Sequence, residues 1–394
     1  MIESIRIENF KALRDVTLNL TPIHLLIGKN GSGKTSILEA ITALCRSVDF
    51  DLPSAFLGRW SGRGLIFKGA GESSIRFTAD QTSNQEFLRY LLEVSFLSEG
   101  KNVAVEREKI QTIADEYDIT HRDRYTAVNR FISERRRMTS VPTELLARIG
   151  ESLSTARTCR WSGRMLSLPV AFEGDGRPFE QSDSGFGLAL ALDDILGSDR
   201  DCFVDLERQF QSIFPQVKSI KLVREPGYRL PPNDRENVPV LQPGSGKGIR
   251  FDYDNGMTDI PASQASEGEL IVLAYLATLY SLRPPRFLLV EEPENGIHPE
   301  RLVEVISLLR EIIVRHPTTQ VIITTHSPYL VSQFAPQEVT LCHKELDSSI
   351  TLHRLSHSSE VKKQSSIFTL GEIWTGEGDD NLAKSTISTE ATSP

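Results

Sequence analysis

A chain of 394 residues, 39% of them hydrophobic, can bury about two or three domain cores, or one large domain carrying an insertion. Its net charge of −9 excludes a protein coated in basic residues for nucleic acid, although the sum says nothing against a local basic patch. The four cysteines (Cys45, Cys159, Cys202, Cys342) form no C-x-x-C pair, which excludes a zinc ribbon and points to a reducing, cytoplasmic setting.

In chain order, the opening alternates apolar and polar residues (Ile5, Ile7, then Val16, Leu18, Leu20), as paired half-buried strands do. It has neither the basic nor the apolar region of a signal peptide. Ile23–Ile27 is an apolar run that predicts a strand buried on both faces, followed by a glycine-rich loop and a helix through Thr35–Leu44. Ser74–Ala79 and Leu88–Leu97 predict antiparallel strands. Residues 121–164 hold ten arginines against four acids, a net of +6. Residues 185–215 predict two helices ending near Pro215. Pro226–Pro261, rich in Pro, Gly, Asn and Asp, predicts loops with short strands. A helix through Glu267–Leu282, a buried strand Phe287–Val290, a helix Glu300–Arg315 and a buried strand Val321–Thr324 follow. The most apolar runs here fall short of the roughly 20 residues a bilayer-crossing helix needs, so no membrane partner is expected. Beyond Trp374 the apolar content drops, and a disordered tail over 375–394 is expected. The pattern is an α/β core split by a long insertion.

Four motifs carry chemistry. Gly28-Lys-Asn30-Gly31-Ser32-Gly33-Lys34-Thr35 fits G-x-x-x-x-G-K-[ST] between a buried strand and a helix, the context this phosphate loop requires. Its glycines let backbone N–H groups converge on phosphate oxygens, and the helix start, through Ser36, adds its dipole. Lys34 should reach the β- and γ-phosphates, and the Thr35 hydroxyl should ligate Mg2+. The second motif is the apolar strand ending in Glu291 and Glu292. Carboxylates at such a strand end lie where ligands gather in an α/β sheet. Glu291 is expected to hold the Mg2+ through its water shell, and Glu292 to polarise an attacking water. His326 ends the next apolar strand, where it can donate to a γ-phosphate oxygen. The fourth is Ser266-Glu-Gly268-Glu269. It is a capping box for the helix after it, and also a serine, a glycine and a helix N-terminus that together form an anion site.

In chain order (phosphate loop, serine–glycine helix start, double acid, strand-end histidine) the four resemble the ABC ATPase superfamily, and within it the non-transporter branch of SMC-like heads, RecF and OLD-like ATPases. Three stretches carry the closer likeness: Ile5-Arg-Ile-Glu-Asn-Phe10-Lys11, Glu291-Glu-Pro-Glu-Asn-Gly-Ile-His-Pro299, and the lid-like Ser184-Gly-Phe-Gly through Phe214-Pro. The resemblance implies an ABC-type P-loop NTPase head with an antiparallel N-terminal β subdomain and a largely helical insertion and lid. Its parts would be 1–50 with the phosphate loop, 51–180 with antiparallel strands and the Arg-rich insertion, 181–260 as lid, and 261–360 with signature, double acid and histidine. It implies ATP and Mg2+ as ligands, and a homodimer or higher assembly sandwiching two ATPs. Lys34 and Thr35 of one copy would then face Ser266 and Gly268 of the other, with Asn295 in the loop that crosses the interface. Ala265-Ser-Glu-Gly-Glu stands where a transporter reads LSGGQ, which argues against a membrane transporter's energy subunit. Glu291 replaces the usual aspartate, as is common in OLD-like proteins. Gln81 and Gln85 are the candidates for the Q-loop glutamine. Only 68 residues follow His326, too few for the Toprim domain of OLD nucleases. The expectation is therefore an ATPase switch acting on a separately encoded nuclease or toxin in phage defence or DNA maintenance. The alternative is a RecF/SMC-like DNA repair ATPase whose Arg122, Arg124, Arg130 and Arg135–Arg137 contact phosphates.

Overall fold

In the first strand, β1 (Ile2–Phe10), Ile5 and Ile7 turn inward and are fully buried, while Arg6 and Glu8 turn outward. That alternation is the signature of a sheet with one face on the core. The structure is a computed structural model and describes all residues except 58–61, 70–73, 84–85, 98–101, 135–140, 173–180, 231–237, 282–283, 296 and 391–394. The chain divides into two compact units. The first holds Met1–Thr158, Pro285–Glu292 and Pro317–Pro394, and the second holds Cys159–Pro284 and Pro293–His316.

Within the first unit, β1 pairs antiparallel with β2 (Leu13–Asn19) through a tight turn. After β3 (Ile23–Ile27), the strands β4 (Ser74–Ser83), β5 (Glu86–Leu97), β6 (Asn102–Thr112) and β7 (Glu116–Asp118) complete a six-stranded sheet in the order β2-β1-β4-β5-β6-β7. Its inner face brings Phe77 to 6.2 Å from Phe10 and 6.1 Å from Phe56, within range of favourable tilted ring contacts. The helix Lys34–Asp49 adds Ile37, Ile41 and Leu44 to the same core. Among the described residues the sheet, rather than helices, therefore dominates 51–158; only Ala127–Glu134 and Thr143–Leu153 form helices of two turns or more among them. Gln81 is not free to act at a nucleotide: it is buried in β4 and accepts the Ser152 hydroxyl at 2.6 Å. Gln85 and Arg135–Arg137 lie outside the described residues.

Strand β8 (Ala156–Cys159) ends the first segment. In the second unit, β9 (Val170–Ala171), β10 (Val217–Arg229), β11 (Val240–Tyr253) and β12 (Ile260–Pro261) form a four-stranded sheet. Here the expectation of loops with short strands over 226–261 fails, because β10 and β11 pair over most of their length. The glycines that suggested loops serve close approach instead. A Cβ on Gly227 would stand 2.3 Å from the Ala171 nitrogen, and one on Gly248 would meet the Glu225 carboxylate at 1.5 Å. The expected helix pair is present as Leu188–Ser198 and Arg200–Ile213. The helix Glu267–Leu279 is apolar all round and buried along its length, with Tyr275 4.6 Å from the Trp161 ring.

The second six-stranded sheet belongs to the first unit and adds β13 (Phe287–Glu291), β14 (Gln320–Thr324), β15 (Val339–Lys344) and β16 (Ile350–Arg354). Its order is β16-β15-β3-β14-β13-β8, with β3, β13, β14 and β15 parallel. Strands β3 and β14 are buried at every residue. Buried His24 fits there because Thr21 and Thr340 each meet a ring nitrogen at 3.0 Å, and burial pushes its pKa down to about 3. The disordered tail expected over 375–394 is corrected as far as Glu390: Leu370–Glu390 is helical, with Ile373, Leu382 and Ala383 buried. These buried residues lie on both sides of a break at Gly378, and few as they are they anchor the segment. Among the described residues no helix is long and apolar enough to cross a membrane.

Candidate nucleotide site

Parallel register sets the site. Glu291 at the end of β13 is level with Thr324 of β14, and Thr324 is level with Leu26 of β3. The residues that follow therefore emerge at one edge of the sheet: Glu292, then Thr325 and His326, then the loop from Gly28 to Gly33. This is the edge at which ligands bind in α/β sheets.

The loop depends on its glycines in two places. Gly28 has φ 135, and a Cβ there would stand 2.3 Å from the Cys342 carbonyl oxygen. Gly33 has φ 89 and immediately precedes the helix Lys34–Asp49. That helix has no side-chain cap and no acid in its first turn, so its leading N–H groups and positive dipole end are left for an external anion. Ser32, 3% exposed, has a hydroxyl with no hydrogen-bond partner, a polar group that a bound phosphate would satisfy. Lys34 is buried and donates to the carbonyls of Gly28 at 2.7 Å and Lys29 at 3.2 Å. Asn30 and Gly31 are exposed and Ser36 is half-buried.

Two carboxylates complete the geometry. The Thr35 hydroxyl donates to Glu291 Oε1 at 2.7 Å, so two oxygens already converge where a divalent cation could sit between them. Mg2+ sites of this kind draw one or two protein oxygens and take the rest from phosphates and water. Glu292 occupies the left-handed backbone region, with φ 48. Its N–H donates to the Thr324 carbonyl at 3.0 Å, and its Oε1 lies 3.3 Å from His326 Nε2. A non-glycine residue in that region is strained, and such strain persists where surrounding structure fixes it. The pair can hold a water and a phosphate oxygen side by side. One acid at the loop was missed in the sequence: Asp379 accepts the Lys29 N–H at 2.9 Å. It lay in the stretch read as a tail, and Trp374 was the signal that the chain still packs there.

Ser266, Gly268 and Asn295 belong to the second unit. Ser266 is exposed and makes the expected capping box: its Oγ accepts from Glu269 N at 3.2 Å and its N–H donates to Glu269 Oε2 at 2.8 Å. Asn295 is exposed and Gly268 half-buried. The basic segment is largely neutralised where it is described. Arg122 pairs with Glu106 at 3.0 Å, Arg124 with Asp51, and Arg130 with Asp123.

Phosphate loop, double acid and strand-end histidine on one parallel edge define an ABC-type P-loop ATPase domain. The chain belongs to the family described as "AAA domain, putative AbiEii toxin, Type IV TA system", whose model matches residues 110–332, more than half of it. A second model, the AAA ATPase domain, matches residues 1–154. An uncharacterised protein of Methanocaldococcus jannaschii is 35% identical over 121 residues, which is 27% of this chain and 53% of that protein. An OLD nuclease of Thermus scotoductus is 36% identical over 62 residues, 14% of this chain and 12% of the nuclease. The chain thus spans about half the length of the first relative and a small part of the second. With the family matches, these relatives place it in the OLD/RecF branch of ABC/SMC-like ATPases. Among solved structures, the SMC head domain of Thermotoga maritima is 13% identical with a TM-score of 0.47, covering 90% of this chain and 98% of that one. The Smc head domain of Pyrococcus furiosus, bound to the C-terminal domain of ScpA, is 14% identical with a TM-score of 0.49, covering 93% and 98%.

Proposed function

We propose that this protein is an ATP-driven switch. It binds Mg-ATP, closes head to head on a second copy around two nucleotides, and reopens on hydrolysis, exposing or hiding a surface for a separately encoded nuclease or toxin. The observation that carries this is the convergence at one sheet edge of the open loop, the Thr35–Glu291 pair at 2.7 Å and the Glu292–His326 pair at 3.3 Å. In this reading Lys34 and the loop amides hold the β- and γ-phosphates, and Thr35 and Glu291 hold the Mg2+, which neutralises phosphate charge. Glu292 takes up a proton from the attacking water, and His326 orients the γ-phosphate. Ser266 and Gly268, at an exposed helix start, offer N–H groups and a dipole to the γ-phosphate held by the partner copy, and Asn295 lies in the loop that crosses to it. The toxin–antitoxin wording of the family description and the name of the OLD nuclease support a phage-defence or DNA-maintenance setting, and the scattered cysteines a cytoplasmic one. Phosphate-release assays test the core: Glu292→Gln should lose at least about a hundredfold in turnover while still binding ATP. Turnover at the wild-type rate would refute it.

The repair-type, DNA-binding alternative gains little from Arg122, Arg124 and Arg130, whose charges already have carboxylate partners. It rests on Arg135–Arg137, and stimulation of turnover by duplex DNA that vanishes on their reversal to Glu would restore it.

A further inference from the structure

The helix Leu370–Glu390 reaches two loops of the nucleotide site. Its first turn lies on the segment just after His326: a Cβ on Gly371 would stand 2.0 Å from the Pro328 carbonyl oxygen, and Ser332 Oγ donates to Thr369 Oγ1 at 3.2 Å. Two turns later Gly378, at φ 74 and ψ 166, breaks the helical path. The break delivers Asp379 to the phosphate loop. Asp379 is 5% exposed, with Oδ1 accepting from Trp374 Nε1 at 2.8 Å and Oδ2 from the Lys29 N–H at 2.9 Å.

The Lys29 N–H belongs to the same planar peptide as the Gly28 carbonyl, and that peptide is trans. In a trans peptide the N–H and C=O point in opposite directions. A bond that draws the N–H toward Asp379 therefore aims the Gly28 carbonyl away from it. That carbonyl is the oxygen that receives Lys34 Nζ at 2.7 Å. The neighbouring Asp380 reaches Lys29 Nζ at 3.5 Å, but both ends are largely exposed, so that pair contributes little.

We infer that Asp379 is a positioning residue for nucleotide binding: through Lys29 it orients the Gly28–Lys29 peptide, and so holds the Lys34 ammonium where phosphates arrive. This rests on the ATP site proposed above. The test uses the full chain with Mg-ATP, reading affinity by calorimetry and KM and kcat by phosphate release. Asp379→Ala removes both acceptors and should raise Kd and KM roughly tenfold, as loss of a hydrogen bond to a charged group does, with kcat within about twofold. Asp379→Asn keeps a carbonyl oxygen for the Lys29 N–H and should recover most of the affinity. If the Ala variant does not fold, Asp379→Glu, which displaces the carboxylate by one methylene, should raise KM with kcat unchanged. Wild-type affinity in Asp379→Ala would overturn the inference, as would tighter binding, which would mark an inhibitory contact instead. Equal losses of affinity and melting temperature in the Ala and Asn variants would reduce the residue to scaffold. Glu292→Gln measured alongside separates the two readings: retained turnover there defeats the catalytic assignment, while the Asp379 affinities, read directly, still stand or fall by themselves.

Discussion

The two six-stranded sheets of the first unit use their strands in opposite ways. In the antiparallel sheet the outer face carries charge answered within the sheet: Arg6 binds Asp15 in two bonds at 2.8 and 2.7 Å, and Arg89 binds Asp80 at 2.7 and 2.9 Å. In the parallel sheet the central strands are buried on both faces, so their polar residues are confined to the strand ends, and there Glu291, Glu292 and His326 gather. Each sheet also holds acids in a different state. Glu108 of β6 is fully buried and receives the Tyr90 hydroxyl at 2.8 Å and the Ala127 N–H at 2.8 Å, with burial raising its pKa to about 7. Glu291 and Glu292 are only half-buried. A buried acid with every oxygen engaged supports the fold, whereas a half-buried one at a strand end is available to ligands.

Variants in each sheet should separate along that line. The largest effect belongs to the parallel sheet: Glu292→Gln should lower turnover by about a hundredfold or more, with the melting temperature within a few degrees of wild type. In the antiparallel sheet Phe77→Ala, which removes a ring packed on Phe10 and Phe56, should cost about 4 kcal/mol in denaturant unfolding and leave ATP affinity unaltered in the folded protein. Glu108 predicts a pH dependence with a definite sign. Its folded pKa of about 7 lies above the usual 4.5, so the folded state binds the extra proton and stability falls as pH rises between those values. Relative to wild type, Glu108→Gln should therefore gain about 3 kcal/mol between pH 4.5 and 7, read from paired unfolding curves; a flat difference would mean the carboxyl is not buried as described. Smallest is Arg6→Ala, whose exposed pair with Asp15 should change stability by less than about 1 kcal/mol. Any large loss of turnover from Arg6→Ala would break the division between the sheets.

What could be read in the sequence follows the same division. Strands buried on both faces announce themselves as short apolar runs, so Ile23–Ile27, Phe287–Val290 and Val321–Thr324 were legible, and with them the residues at their ends. Glycines were legible only where a known loop explained them. Gly227 and Gly248 look like turn residues in sequence, yet in space they admit a neighbouring strand and a carboxylate. The helix Leu370–Glu390 was hidden because its apolar residues are few and because it holds three glycines, one of which, Gly378, breaks it. Asp379 was hidden for the further reason that its partner is a backbone N–H, which leaves no mark on side-chain identity.

The most direct measurement is the solution mass of Glu292→Gln by light scattering, with and without Mg-ATP. A switch whose site is shared between two copies predicts a monomer that becomes a dimer on addition of Mg-ATP alone. A variant that binds ATP and stays monomeric would contradict the shared site.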